Sequence, residues 1–137
     1  MSAQIDARGP RWSALITTFV LAIALITSSV WLIAFQAVVF AIGALRGPQF
    51  TPYAYIFKKI VKPRLKSQAT LEDVRPPQFS QAVGLIFALV AIIGSATGAS
   101  GVFTIAVGFA LAAAFLNAAF NFCLGCQMYL LILRAAK

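Results

Sequence analysis

The chain has 137 residues, 61% of them hydrophobic and 10% charged, with a mean hydropathy of +0.92 and a formal net charge of +8. Soluble domains average about 45–50% apolar and about 25% charged residues, so this composition excludes an ordinary water-soluble globule. The length suits one domain over 1–137. With no histidine, the chain has no His general base, no His-ligated haem and no Cys/His zinc site. The carboxylates are Asp6, Glu72 and Asp73, too few for an intramembrane proton relay or a carboxylate metal cage. No metal site is expected. Covalent chemistry would fall to the two cysteines, Cys123 and Cys126.

Taken in chain order, the charges divide the sequence. Residues 12–45 are uncharged, as are residues 76–133. A helix that crosses a bilayer needs roughly 20 residues. The second run therefore holds two crossings, about 79–95 and 102–133, broken at the small-residue cluster Gly94–Gly101. The first run is long for one crossing and short for two, and Thr27-Ser28-Ser29 is its polar break. The positive-inside rule favours two spans, about 12–27 and 30–45, because all 11 basic residues then lie on one side. Trp31 suits an interface. The expected fold is an all-α integral membrane protein, a four-transmembrane-helix bundle. Its termini and its 46–78 loop would face the cytoplasm of a bacterial plasma membrane. A signal peptide fits less well, since the first apolar stretch is too long and has no A-x-A-like cleavage site.

The 46–78 loop carries a helix signal. Thr51-Pro52 reads as an N-cap and first helical residue. Tyr53, Ile56, Phe57 and Ile60 share one helical face, Lys58, Lys59 and Lys62 fall opposite, and Pro63 stops the helix. A short amphipathic helix in the interface is expected, lysines toward anionic headgroups. Membrane lipid is thus a partner, and nucleic acid is not. From Lys66 to Pro77 the chain reads as polar and turn-rich, with Glu72 and Asp73 near Arg64, Lys66 and Arg75 in a local ion-pair cluster.

Further on, Gly108 and Ala112 have the spacing of close helix packing. Asn117 and Asn121 are expected to make interhelical hydrogen bonds, with Ser80 and Gln81 as polar partners on the third span.

Phe122-Cys123-Leu124-Gly125-Cys126-Gln127 contains a C-x-x-C dithiol pattern. On a helix the two cysteines are i and i+3, within disulfide reach. Counted back from Arg134 on one helix, Cys126 lies roughly 12 Å and Cys123 roughly 16 Å deep. A thiol there is inert unless a water path, a break at Gly125 or a nearby cation activates it. Arg64, Lys66 and Arg75 are the candidate cations, and Gln127 is the nearest neutral polar side chain. Three readings stay open: redox or sulfur chemistry, inert packing, and a metal site completed by a second subunit.

Three patches carry a family resemblance: Asp6-Ala7-Arg8-Gly9-Pro10-Arg11; Pro63-Arg64 with Leu71–Phe79, Gln81 and Gly84; and Phe122–Cys126 with Tyr129. Together they resemble a bacterial, mainly actinobacterial, family of small integral membrane proteins, the domain of unknown function numbered 4395. The resemblance implies a four-span inner-membrane protein, often encoded beside thioredoxin-like proteins and sulfurtransferases. Within a dithiol reading, Cys126 is expected to be the attacking thiol because it is nearer the interface, and Cys123 the resolving one. Arg64 and Arg75 supply positive potential, with Gly125, Gln127 and Glu72 in support. The partner is a thioredoxin-like or sulfurtransferase protein. No cofactor is demanded, although a quinone in the bilayer is one acceptor open to it. The rivals are a non-catalytic scaffold subunit and, less well supported, a small transporter of a sulfur compound. A homo-oligomer is left open.

Overall fold

The computed structural model describes residues 4–6, 8–47, 50–61, 71–73, 75–120 and 124–136. Among these, six α-helices dominate: α1 (Arg8–Thr27), α2 (Val30–Leu45), α3 (Pro52–Ile56), α4 (Arg75–Ala96), α5 (Ser100–Phe120) and α6 (Leu124–Ala136). A π-helical turn, Phe57–Val61, extends α3.

Local chemistry explains most helix ends. Ser29 precedes α2, and its hydroxyl accepts from the Leu32 N–H at 3.3 Å, the usual role of a serine at an N-cap. Ser28, in the α1–α2 turn, has φ 53, a left-handed conformation unfavourable for a residue with a Cβ. Gly98 has φ +81 in the α4–α5 turn, where glycine is at ease. Thr51 caps α3 by accepting from Ala54 N–H, and Pro52 opens the helix, as its sequence suggests.

Helices α1, α2, α4 and α5 form a closed square. α2 lies against α4, α4 against α5, and α5 against α1. Each pair is antiparallel. Gln78 Nε2 donates to the Ala44 carbonyl at 2.8 Å, and Gly84 of α4 meets the Phe40 ring of α2. Arg11 of α1 reaches Ala118 of α5. The core draws on all four helices through Leu21, Ala24, Ile33, Phe40, Ala91 and Val107. Alanines and glycines let the backbones approach around these few large core side chains, while many other large side chains point outward. Ile26 and Trp31 are 82% exposed, and Phe19, Ile93 and Phe109 are each 62% exposed. An apolar surface that large needs a non-aqueous neighbour.

Two helical stretches, Pro77–Ala96 and Ser100–Phe120, are long and apolar enough to cross a membrane. Arg11–Thr27 and Val30–Leu45 are apolar but shorter. Helix α2 has 16 residues. Its length is therefore about 24 Å, roughly a turn below the hydrocarbon thickness.

Three features refine the sequence expectation. First, the stretch expected as one span over 102–133 is described as α5 and α6, with residues 121–123 outside the described residues, and α6 packs on α4. Second, the segment around the acidic pair is not simply turn-rich. Leu71–Asp73 forms a strand, β2, antiparallel to an N-terminal strand β1 (Gln4–Asp6), with Ile5 opposite Glu72. The fold is thus helical apart from this short ribbon. Third, α3 does not lie flat across the bundle end. Its Tyr53 hydroxyl donates to Gln36 Oε1 at 2.7 Å, and Phe57 packs on Gly9. Gln36 is well inside α2, more than two turns before its end at Leu45. The chain therefore turns back after Gly47, and α3 packs beside α1, reaching α2 through the Tyr53 hydroxyl. Tyr53 and Phe57 are buried, whereas Ile56 and Ile60 of the same expected face are 41% and 52% exposed.

Candidate functional site

Both hairpin turns, Ser28-Ser29 and Thr97–Ala99, lie at one end of the square and carry no charge. Arg11, Arg46 and Arg75 sit at or near helix termini at the other end, with Lys58 and Lys59 on the π-helical turn beside the start of α1. Arg46 stacks over Phe50 with its Cζ 6.0 Å from the ring centroid, and Lys58 lies 5.5 Å over Tyr55. Both are cation–π contacts.

The dithiol segment belongs to this basic end. α5 runs antiparallel to α1 and finishes at Phe120, where its last turn is level with Arg11. The Arg11 guanidinium donates from Nε to Ala118 O at 3.0 Å and from Nη2 to Ala119 O at 3.5 Å. Both carbonyls lie in the last described turn of α5, where a cation opposes the negative end of a helix dipole. Residues 121–123 lie outside the described residues, and α6 is described from Leu124.

Gly125 seats α6 on α4. It is buried, and a Cβ built on it would meet the Cα of Ser80 at 2.7 Å. Only a residue without a side chain permits that approach. One turn further along α6, the Tyr129 ring contacts Phe79 with centroids 5.5 Å apart, a tilted aromatic pair. The chain is helical through Gly125, the position left open for a break, and Gly125 is the docking point of α6 on α4.

Cys126 and Arg134 share the one helix α6, as the depth count from Arg134 assumed. Cys126 is the third residue of α6, in its first turn, and is half-buried. It is disulfide-bonded. The chain's one other cysteine, Cys123, lies outside the described residues, as do Arg64, Lys66 and Asn121. Gln127 is exposed. Arg75 is the exposed first residue of α4 and is engaged in an interaction. Glu72 is described only by its backbone, paired with Ile5.

Other expected contacts differ. Gly108 has open space where a Cβ would stand, so it mediates no close helix approach. Asn117 makes no hydrogen bond among the described residues, where an interhelical one was expected. Gln81 is sterically confined, because its side chain fills the space beside Gly43. Its buried Oε1 is without a hydrogen-bond partner among the described residues. No cluster of three or more His, Cys, Asp or Glu side chains that could hold a metal occurs among them.

Sequence reasoning missed Arg11, Ser80, Phe79 and Tyr129 as neighbours of the dithiol segment. Arg11, Phe79 and Tyr129 already stood in the family-like patches, and that was the available signal. No curated protein and no solved structure matches the chain. The family model described as "Domain of unknown function (DUF4395)" matches residues 5–134, and the chain belongs to that family.

Proposed function

We propose that this protein is a multi-pass plasma-membrane dithiol protein in which Cys126 and Cys123 exchange disulfides with a cytoplasmic partner. The observation that carries the reading is the disulfide-bonded Cys126 in the first turn of α6, at the basic end of the bundle. Nearby cationic groups lower a thiol's pKa, which favours a sulfur nucleophile.

The exchange balances as follows. In the reduced chain, the Cys126 thiolate attacks one sulfur of a thioredoxin-like protein's disulfide. An S–S bond to the partner forms as the partner's own S–S bond breaks, and the displaced sulfur leaves as a thiolate. The Cys123 thiolate then attacks Cys126 Sγ, closes the internal disulfide and releases the second partner thiolate. Two electrons pass from this chain to the partner, and the two protons lost by the cysteines end on the partner dithiol at neutral pH. The same steps run backward when the partner is the reductant. Basic residues at this end, Arg75 among them, give a positive field for an acidic partner or a sulfur anion.

In this reading α1, α2, α4 and α5 all cross the bilayer, and the basic end faces the cytoplasm. The one-sided charge and the exposed apolar side chains around the square support it. Reporter fusions at Ser67 and at Gly98 are expected to mark opposite sides of the membrane; the same side for both rejects the four-span arrangement.

The chemistry is tested by thiol trapping in intact membranes. Cys123→Ser is expected to hold a mixed disulfide through Cys126, identifiable by mass. Cysteines that resist alkylation with and without reductant, and a chain whose cellular role survives Cys126→Ser, reject it.

A further inference from the structure

We infer that Gly125 and Tyr129 are positioning residues for the dithiol: they close α6 on α4 and so hold Cys126 at that seam in the arrangement of its disulfide. The inference rests on the dithiol reading above and names contacts that govern its equilibrium.

The attachment of α6 is narrow. From Gly125 to Ala136, the residues that are not exposed are Gly125, Cys126 and Tyr129. At about 100° per residue, the three fall within about 100° of arc, a single stripe of the helix. The stripe faces α4, on which α6 packs. Gly125 meets Ser80, and the Tyr129 ring meets Phe79 with centroids 5.5 Å apart. Phe79 and Ser80 are consecutive residues near the start of α4, so both contacts fall at one level of the seam. Cys126 follows Gly125 directly and lies three residues before Tyr129, a spacing that makes neighbours on a helix surface. Beyond Tyr129 every residue to Ala136 is exposed. Among the described residues, these two contacts therefore fix where Cys126 stands.

Gly125 leaves no room for adjustment. A Cβ there would stand 2.5 Å from Ser80 Oγ, 2.6 Å from its Cβ and 2.7 Å from its Cα. The hydroxyl can rotate away, but the Cα is backbone. An alanine therefore displaces α6 itself, and Cys126 moves with it, because a close-packed contact transmits strain.

A disulfide has a narrow geometry, and a fold that pulls its cysteines out of it makes the bond easier to reduce. Cys126 is disulfide-bonded with α6 seated on α4. Contacts that keep it there favour the disulfide over the dithiol, and a loosened seam gives up that preference.

The test uses the full chain in lipid nanodiscs, equilibrated with reduced and oxidised glutathione at fixed ratios. Two glutathione thiols give two electrons and two protons to the Cys123–Cys126 disulfide, which opens to the dithiol as one glutathione disulfide forms. The oxidised fraction is read by mass after acid quenching and alkylation. Gly125→Ala is expected to shift the equilibrium about three- to tenfold toward the dithiol. Tyr129→Ala should shift it the same way by less, and Tyr129→Phe, which keeps a ring on Phe79, should stay within about twofold of the unaltered chain. Gly108→Ala, where a Cβ meets nothing within 4 Å, should leave the equilibrium unchanged. If Gly125→Ala does not fold, the two Tyr129 variants carry the comparison. Equilibria that are unchanged in Gly125→Ala and Tyr129→Ala, or moved toward the disulfide, overturn the positioning role and leave the dithiol reading standing. An unaltered chain that does not exchange with glutathione at any ratio overturns both.

Discussion

Where α1 meets α2, an inserted helix and three polar side chains join the pair: Thr17, Gln36 and Tyr53, linked by bonds of 3.5 and 2.7 Å. Where α4 meets α5, the contact is apolar and direct. Gly94 lies against Val102 and the Phe103 backbone, and Phe87 faces Phe109 with ring centroids 6.3 Å apart. The first hairpin is short and leaves room that α3 fills, so its buried polar groups need one another. The second is long, and small residues bring its backbones together. One pair should therefore be sensitive to a deleted polar atom and the other to an added methyl.

The largest effect is expected at Gln36, which is fully buried. Gln36→Ala leaves the Tyr53 hydroxyl without its acceptor and opens a cavity, a loss of about 3 kcal/mol in unfolding measurements in detergent micelles. An equal loss from a polar deletion in the α4–α5 pair would erase the contrast. Next comes Gly94→Ala, whose Cβ would stand 2.9 Å from Val102 and 3.1 Å from Phe103 N. Part of that clash is with backbone, so about 1–3 kcal/mol should be lost. Gly108→Ala on the same α5 meets nothing within 4 Å. Its higher helix propensity should raise stability by up to about 1 kcal/mol. If the two alanines behaved alike, packing would not be what distinguishes these glycines.

Alkali gives a weaker probe of the first hairpin. Burial pushes the Tyr53 phenol from 10.0 up to about 12. Below pH 10 the phenol is neutral folded and unfolded, so its contribution is fully present. Above pH 10 the unfolded chain ionises first, and the contribution is lost as pH rises toward 12. Melting temperatures should fall across that window, and Tyr53→Phe should flatten the fall. Smallest of all, Ser28→Gly relieves the left-handed φ at the α1–α2 turn. A gain of about 0.5 kcal/mol is expected, the relief being partly offset by greater freedom of the unfolded chain. A loss on calorimetry would mean the Ser28 side chain contributes something beyond its backbone.

Much of the helical skeleton was legible because its signals are local. Ser28-Ser29 and Arg46 bracket α2, Thr51-Pro52 opens α3, and the small residues from Gly94 onward divide α4 from α5. The two long uncharged runs and the one-sided basic groups pointed to helical hairpins because burial and charge placement depend on composition alone. The dithiol pattern could be read for the same reason, as could its being the chain's only pair of cysteines.

What sequence could not supply were contacts between distant parts. The ribbon joins Gln4–Asp6 to Leu71–Asp73, strands too short for any periodic signal. The placement of α3 beside α1 lets Tyr53 reach Gln36 of α2. The charge of Arg11 was counted for topology, but its hydrogen-bond partners lie 107 and 108 residues on. The seat of α6 depends on Gly125 meeting Ser80. Composition and short-range patterning determined that the chain forms apolar helices with one basic end and one dithiol. Only tertiary structure decided where that last run docks, because Gly125 of α6 meets Ser80 of α4 and Arg11 of α1 reaches carbonyls near the described end of α5.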